Sequence, residues 1–217
     1  ALLGGGQLGR MFLENALRYN VRVHVLDPDP NAPCRSLAER FVVGDLLDHD
    51  TVVRFAEHAD VVGIEIEHVS TSALDALQRA GKRVIPDPSV LRTIQDKGLQ
   101  KQFYLDHGIP TSPFAFVNGV SEITAVSHLY PAFLKLRSGG YDGRGVMALN
   151  DHTALEGAFT GPCVLEQRVD VALELAVLVV RTDCGDQITY DPVEMVFDPY
   201  LNLVDHLQAP ARIDART

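Results

Sequence analysis

The chain has 217 residues, of which 46% are hydrophobic and 22% charged, a balance typical of a folded protein with a sizeable core. Its formal net charge of −10 argues against nucleic acid as a partner, because a phosphate backbone is bound by a basic face. No apolar run approaches the length that spans a bilayer, so we expect no membrane partner. Cys34, Cys163 and Cys184 are odd in number and widely spaced, which predicts reduced thiols and a cytoplasmic location.

The first third of the sequence alternates strand-like and helix-like segments. Strands are predicted at residues 1–3, 21–26, 40–43, 61–65 and 83–85. Helices are predicted at residues 10–19, 50–58 and 71–80. This alternation predicts a doubly wound parallel sheet, in which ligands bind beyond the carboxyl ends of the strands.

The loop at residues 4–9, Gly-Gly-Gly-Gln-Leu-Gly, matches the dinucleotide-binding fingerprint. Asp27 follows the next strand, where an acid that binds a ribose would stand. An NAD-dependent dehydrogenase is therefore a competing hypothesis. Two features weigh against it: the polar residues Gln7 and Arg10 lie at the mouth of the loop, and nothing downstream resembles a hydride-transfer site.

Two carboxylates, Glu65 and Glu67, fall at alternate positions near the end of the fourth strand. Alternate strand residues point to the same side, so we expect both acids at the ligand crevice. There they would hold ribose hydroxyls or a substrate amine. The alternative is an exposed strand edge with solvated charges.

A single amphipathic helix is predicted from residue 87 to about 105, followed by an extended linker at residues 109–113. Lys97 on this helix either reaches a phosphate or is solvated. Beyond the linker we predict a small α+β unit with one helix at residues 120–128. Its strands are predicted at residues 114–117, 132–135, 146–149 and 163–167, with a further strand at residues 174–181.

The segment at residues 135–145, Lys-Leu-Arg-Ser-Gly-Gly-Tyr-Asp-Gly-Arg-Gly, combines four glycines with three cations. Glycine allows backbone N–H groups to turn toward an anion, while Lys135, Arg137 and Arg144 supply positive charge. This pattern favours a phosphate-bearing ligand over a plain hairpin turn. Downstream, residues 166–169 could form an apolar slot for a purine base, and Glu174 could bind its ribose.

Five motifs occur in one order along the chain: Gly-Gly-Gly-Gln-Leu-Gly-Arg-Met at residues 4–11, Glu-Ile-Glu-His-Val at 65–69, Gln-Asp-Lys at 95–97, Ser-Gly-Gly-Tyr-Asp-Gly-Arg-Gly at 138–145 and Glu-Gln-Arg-Val at 166–169. Together they resemble the 5-(carboxyamino)imidazole ribonucleotide synthases of purine biosynthesis, a branch of the ATP-grasp ligases. The resemblance covers nearly the whole chain. It implies an α/β fold, with a Rossmann-like (pre-ATP-grasp) parallel sheet followed by an α+β ATP-grasp domain that is truncated.

The resemblance also implies the chemistry. Bicarbonate, ATP and aminoimidazole ribonucleotide would give the N-carboxylated product, ADP and phosphate, with ATP and Mg²⁺ as cofactors and a homodimer as the assembly. The ATP-binding residues that it implies are Lys97, Lys135, Gly140, Tyr141, Gly143, Gly145, Val146, Glu166, Gln167, Arg168, Val169 and Glu174. The substrate-binding residues that it implies are Gln7, Leu8, Glu65, Tyr141, Asp142 and Arg144. Of these, Asp142 and Arg144 would be catalytic.

The same resemblance implies a domain plan. Residues 1–87 would bind the substrate, 88–112 would form a helix and linker, 113–165 a small lid subdomain, and 166–217 the start of the central ATP-grasp subdomain. The family continues with a segment that bears acidic Mg²⁺ ligands, so we expect no metal ligands in this chain and a C-terminally incomplete sequence. Phe197 stands where many relatives have histidine near ATP.

Two alternatives remain open at this point. One is a sister ATP-grasp ligase such as the formate-dependent glycinamide ribonucleotide transformylase, against which Gln7 and residues 141–144 argue. The other is a nucleotide-binding module without turnover.

Overall fold

The computed structural model describes residues 1–140, 145–151, 155–182, 184–198 and 203–214. Its internal contacts divide the chain into two compact units, Ala1–Arg168 and Val169–Thr217. Among the described residues, no helix is both long and apolar enough to cross a membrane.

The first unit opens with a five-stranded parallel sheet. Its strands are β1 (Leu2–Leu3), β2 (His24–Asp27), β3 (Arg40–Val43), β4 (Val61–Ile64) and β5 (Arg83–Ile85). The order β3-β2-β1-β4-β5 and the parallel pairing confirm the doubly wound sheet. The connecting helices are α1 (Gln7–Arg18), α2 (His49–Ala56) and α3 (Thr71–Arg79).

The strands of this sheet are short apolar runs because both of its faces are covered. Leu3 and Leu26 are fully buried on neighbouring strands, and Leu74 of α3 packs into the same core. Parallel pairing places the ends of β1, β2 and β4 at one edge. Asp27, the last residue of β2, therefore lies at the same edge of the sheet as the glycine loop after β1 and Glu65 after β4.

The single helix predicted from residue 87 onward is wrong. The chain instead forms α4 (Pro88–Gln95) and α5 (Lys97–Asp106), with Asp96 in an extended conformation between them. The Asp96 carboxylate accepts hydrogen bonds from the Gly98 and Leu99 N–H groups, at 2.7 and 3.1 Å. An aspartate that caps a new helix satisfies N–H groups that would otherwise lack partners, and this favours a break at that position.

A second, antiparallel sheet follows in the order β6-β9-β7-β8. Its strands are β6 (Phe114–Val117), β7 (Ala132–Leu136), β8 (Val146–Leu149) and β9 (Cys163–Gln167). Leu134, Leu149 and Leu165 are fully buried in its core. The helix predicted at residues 120–128 is shorter, because α6 (Val120–Ala125) gives way to a 3-10 turn at Ser127–Leu129.

The second unit holds five short strands: β10 (Glu174–Ala176), β11 (Val179–Arg181), β12 (Gln187–Thr189), β13 (Val193–Phe197) and β14 (Val204–Gln208). The single strand predicted at residues 174–181 is wrong, because its two halves pair with different partners. The first half, β10, pairs with β13, and the second, β11, forms a hairpin with β12. Phe197 ends β13, opposite Val204.

Candidate functional site

The glycine loop after β1 is built around the carboxylate of Glu65. The Gly9 N–H donates to Glu65 Oε1 at 3.4 Å. A Cβ atom placed on Gly6 would lie 2.6 Å from the same oxygen, and one on Gly4 would lie 2.8 Å from Oε2. Gly4 also adopts a φ of +98°, which side chains rarely tolerate. Glycine is therefore required here for the close approach of an acidic side chain.

This arrangement disfavours the dinucleotide hypothesis. Asp27 Oδ2 accepts the Gly5 N–H at 2.7 Å, and Asp27 Oδ1 accepts the Asp29 N–H at 2.7 Å. A pyrophosphate at this loop would meet the carboxylates of both Glu65 and Asp27. Like charges at such short range repel, so the loop suits a ligand that donates hydrogen bonds, such as a hydroxyl or an amine.

The expectation that Glu65 and Glu67 share one side of a strand is wrong. Strand β4 ends at Ile64, and residues 65–67 form a bend. Only Glu65 contacts the glycine loop, while Glu67 is exposed and its carbonyl accepts the Gln95 side-chain amide at 2.7 Å. The bend separates the two carboxylates because strand alternation no longer applies.

Gln7 and Leu8 lie at the start of α1, within the loop that Glu65 contacts, and both are exposed. Leu8 keeps 68% of its surface accessible. The structure thus brings together Gln7, Leu8 and Glu65 at one edge of the parallel sheet. A separate cavity of about 680 Å³ lies at the opposite, amino ends of the strands, where Ala1 and Val61 line it. Because Glu65 lies at the carboxyl ends of the strands, that cavity is not part of the candidate site.

A charge cluster joins the second sheet to α5. Glu166 Oε2 accepts Lys135 Nζ at 2.9 Å and lies 3.4 Å from Lys101 Nζ. Lys101 also donates to Thr111 Oγ1 at 2.6 Å and to Ser112 Oγ at 3.2 Å. The side chain of Lys135 is 28% exposed, compared with 10% for Lys101. Lys135 is therefore the more exposed of the two lysines in this cluster.

Sequence reasoning missed Lys101. In the structure Gly98 and Lys101, three residues apart, are the buried residues of α5, a placement that a glycine and a lysine do not signal in the sequence. A lysine in the buried stripe of a helix requires a buried partner, and Glu166 provides it. The sequence did not reveal that β9 would deliver Glu166 to α5.

The sequence predicted Arg137 as a free cation for a phosphate, but in the structure its guanidinium is paired with a carboxylate. Its guanidinium donates to Asp96 Oδ1 and Oδ2 at 2.8 and 2.7 Å. The carbonyl of Arg137 accepts the Lys97 N–H at 2.8 Å. Through these side-chain and backbone hydrogen bonds, Arg137 connects the end of β7 to the start of α5. Lys97 is half-buried at the same helix terminus, and within the described part of the chain its ammonium forms no ion pair.

Strands β7 and β8 frame the glycine-rich segment. Val146 pairs with Lys135 in the ladder, and the Leu136 N–H donates to the Gly145 carbonyl at 2.9 Å. A Cβ atom on Gly145 would lie 3.1 Å from the Gly140 Cα, so glycine permits the two ends of the segment to approach. Four predicted site residues, Tyr141, Asp142, Gly143 and Arg144, lie outside the described residues.

In the segment predicted to bind adenine, residues 166–169, two backbone N–H groups are already hydrogen-bonded within the protein. The Gln167 N–H donates to the Pro113 carbonyl, and the Arg168 N–H donates to the Pro131 carbonyl, each at 2.8 Å. These two N–H groups are therefore engaged within the first unit. Val169 and Glu174 belong to the second unit, where Val169 is 55% exposed and Glu174 opens β10 as an exposed residue.

Comparison with known families decides the classification. The ribonucleotide synthetase preATP-grasp domain matches residues 1–95, and the ATP-grasp domain matches residues 102–216, more than half of the chain. The chain belongs to the ATP-grasp family. The family resemblance found in the motif order is confirmed, as is the fold predicted from it, with a parallel sheet preceding the ATP-grasp domain.

Several ATP-grasp relatives are similar over most of this chain. The phosphoribosylaminoimidazole carboxylase of Candida albicans is 37% identical, over 98% of this chain and 39% of its own length. The N5-carboxyaminoimidazole ribonucleotide synthase of Staphylococcus haemolyticus is 32% identical, over 89% of this chain and 53% of its own length. The chain spans 39% to 57% of the length of such curated relatives.

A solved ATP-grasp structure is similar as well. The N5-carboxyaminoimidazole synthase of Aspergillus clavatus, in complex with ADP and 5-aminoimidazole ribonucleotide, matches with a TM-score of 0.87 at 34% identity. The match covers 99% of this chain and 57% of that one. The synthetase of Staphylococcus aureus complexed with ADP matches with a TM-score of 0.90 at 28% identity.

Proposed function

We propose that the protein containing this chain carboxylates 5-aminoimidazole ribonucleotide with bicarbonate at the expense of ATP. The products are the N-carboxyamino ribonucleotide, ADP and phosphate. The observation that carries the proposal is the match to the Aspergillus clavatus structure, which holds ADP and that ribonucleotide. It is supported by the Glu65 carboxylate at the glycine loop, which favours ligands that donate hydrogen bonds, and by the partly exposed side chain of Lys135.

In this proposal, the edge of the parallel sheet binds the ribonucleotide. Glu65 accepts hydrogen bonds from its ribose hydroxyls or amine, and Gln7 and Leu8 form the adjoining wall. Glycine at positions 4, 6 and 9 keeps the carboxylate against the loop, so Glu65 is positioned before the substrate arrives. The motif residues Tyr141, Asp142 and Arg144 close on the substrate, and Asp142 and Arg144 act in catalysis.

The antiparallel sheet binds ATP in this proposal. Lys97 and Lys135 contact the phosphates, and the glycine-rich segment from Gly140 to Val146, which includes Gly143 and Gly145, covers them. Residues 166–169 bind adenine through groups other than the N–H groups of Gln167 and Arg168, and Glu174 binds the ribose. Phosphoryl transfer depends mainly on positioning and charge neutralisation, which suits two lysines.

The proposed chemistry uses ATP to activate a poor electrophile. A bicarbonate oxygen attacks the γ-phosphorus of ATP, forming carboxyphosphate and releasing ADP. The exocyclic amine then attacks the carboxyphosphate carbon and displaces phosphate, or attacks the CO₂ that forms when carboxyphosphate loses phosphate; in both routes the new N–C bond forms with loss of one N–H proton to phosphate or solvent. Water must be excluded meanwhile, and this is the role we assign to closure of the glycine-rich segment.

Magnesium accompanies ATP in ATP-grasp chemistry. Within the described residues, no group of three or more His, Cys, Asp and Glu side chains could hold a metal ion. We therefore assign no protein ligand to Mg²⁺ and route no step through it.

The division of labour follows the domain plan. We propose that residues 1–87 bind the ribonucleotide, that 88–112 connect the two parts, that 113–165 form the lid subdomain, and that 166–217 begin the central ATP-grasp subdomain. We further propose a cytoplasmic homodimer. The three free cysteines support a reducing compartment, and light scattering on the purified protein tests the dimer.

ADP release tests the function. Protein from the complete reading frame is supplied with Mg·ATP and bicarbonate, with and without aminoimidazole ribonucleotide. We expect ADP release to depend strongly on that ribonucleotide. Release that depends instead on glycinamide ribonucleotide and formate would establish a sister ligase, and ATP binding without any release would establish a non-catalytic module.

A further inference from the structure

The buried lysine Lys101 has its partners within the protein. An ammonium group has three N–H donors. Three acceptors surround that of Lys101: Thr111 Oγ1 at 2.6 Å, Ser112 Oγ at 3.2 Å and Glu166 Oε2 at 3.4 Å. The ammonium also lies 5.5 Å from the centre of the Phe114 ring. Lys101 thus donates two hydrogen bonds, to Thr111 and Ser112, and forms an ion pair with Glu166.

Lys135 differs in this respect. Within the described part of the chain its ammonium has one hydrogen-bond acceptor, Glu166 Oε2 at 2.9 Å, and its side chain is 28% exposed. Two N–H donors therefore remain for a ligand. The same carboxylate oxygen faces both lysines, so Glu166 balances one positive charge of the two.

The net charge of the cluster determines how strongly Lys135 can attract a phosphate. Two ammonium groups and one carboxylate leave the cluster with a net charge of +1. Without Lys101, Glu166 and Lys135 would form a neutral pair, and the attraction of Lys135 for a phosphate would be offset by the neighbouring carboxylate. Such effects are large where the groups are partly buried, because solvent screens them weakly.

We infer that Lys101 is a positioning residue of the ATP site, which neutralises Glu166 and so leaves the charge of Lys135 available to the ATP phosphates. The inference rests on the proposed contact of Lys135 with ATP. Lys101 acts through Glu166 and touches neither ATP nor the ribonucleotide.

A double-mutant cycle tests the inference. Affinities for ATP and for adenosine are measured by calorimetry on the purified protein and on Lys101→Met, Glu166→Gln and the double variant. We expect Lys101→Met to weaken ATP binding on the order of tenfold, and to weaken the binding of adenosine, which has no phosphate, clearly less. In the Glu166→Gln background the same replacement should cost less ATP affinity, because only the direct attraction of the Lys101 charge is lost and no carboxylate remains to hold Lys135.

Two further variants keep the test informative if Lys101→Met does not fold. Lys101→Arg keeps the charge and should retain most of the ATP affinity. Lys101→Gln retains hydrogen bonding to Thr111 and Ser112, and provides the same comparison if the methionine variant does not fold.

A purely structural role for Lys101 predicts a different pattern. Equal losses of ATP and adenosine affinity, or the same loss in both Glu166 backgrounds, would overturn the inference. The proposed function fails separately: unchanged ATP affinity in Lys135→Ala would remove the assignment of Lys135 to the phosphates, whatever Lys101→Met shows.

Discussion

The guanidinium of Arg137 binds the carboxylate of Asp96 through two hydrogen bonds, at 2.8 and 2.7 Å. Asp96 also caps α5, so one carboxylate fixes both the helix terminus and the segment that follows Lys135. Burial acts to raise the pKa of Asp96, but the hydrogen bonds from Arg137 and from the Leu99 and Gly98 N–H groups lower it below its usual value of 3.8.

This relationship predicts how stability depends on pH. Because the pKa of Asp96 is lowered on folding, its stabilisation is complete above its unfolded value and is lost as the pH falls through the folded value. We expect Asp96→Asn to lower the free energy of unfolding by about 1–3 kcal/mol at pH 7. The difference should shrink as the pH falls below 3.8, the ordinary pKa of the side chain.

Urea denaturation at a series of pH values measures the effect. Asp106→Asn is the matched control, since Asp106 is an exposed carboxylate on α5 whose partner, Gln102, is neutral. A loss for Asp96→Asn that is the same at every pH would contradict the ion pair.

The fit of Glu65 against the glycine loop gives a second prediction. Gly6→Ala would place a Cβ atom 2.6 Å from Glu65 Oε1, so the carboxylate must move. We expect a loss of stability of about 1–3 kcal/mol and a rise in KM for the ribonucleotide with a smaller change for ATP. Thermal denaturation and initial rates measure the two effects.

Gly119→Ala provides the comparison for Gly6→Ala. A Cβ atom at Gly119 would meet nothing within 4 Å, and its extended φ suits any residue. Equal KM values for the ribonucleotide in Gly6→Ala and Gly119→Ala would argue against a substrate role for Glu65.

Arg144 and Lys135 have separate roles in this account. We expect Arg144→Ala to raise KM for the ribonucleotide by on the order of tenfold or more with little change in ATP affinity. We expect Lys135→Ala to do the reverse, because its ammonium is assigned to the phosphates. Steady-state kinetics with each substrate varied in turn separates the two. If both variants impaired the use of a single substrate alone, the division of roles would be wrong.

The three cysteines should differ in reactivity. Cys34 and Cys163 are buried, and burial raises the pKa of both thiols, with the charges of Glu65 and Asp27 adding to the effect at Cys34. Cys184 is exposed. A thiol reagent at pH 7 should modify Cys184 rapidly and the other two only in denaturant, because the thiolate is the reacting form. Rapid reaction of Cys34 in the native protein would contradict the packing of α1.

What could be predicted from the sequence depends on how far apart in the chain the interacting residues lie. Strand 40–43 and strand 83–85 were predicted with their observed bounds, because short β-branched runs between turn residues carry a local signal. The break at Asp96 was missed because the sequence does not show that Arg137, from β7, binds the carboxylate that also caps α5. That contact joins residues far apart in sequence.

The candidate site shows the same division. The glycine loop, Glu65, the lysine of β7 and Glu166 were named from motifs, whereas Lys101 was missed. Lys101 and Glu166 are brought together by the packing of α5 on β9, which no spacing in the sequence records. Likewise, Glu65 and Glu67 were predicted to point to the same side because the strand was predicted to end at residue 65, whereas β4 ends at Ile64.

The transfer of carbon from bicarbonate tests the central claim most directly. Protein from the complete reading frame is incubated with Mg·ATP, aminoimidazole ribonucleotide and ¹³C-bicarbonate, and the reaction is followed by ¹³C and ³¹P NMR. The account predicts a new carbamate carbon on the ribonucleotide that appears in equal amount with ADP and phosphate. Formation of ADP without labelled carbon in the ribonucleotide would contradict it.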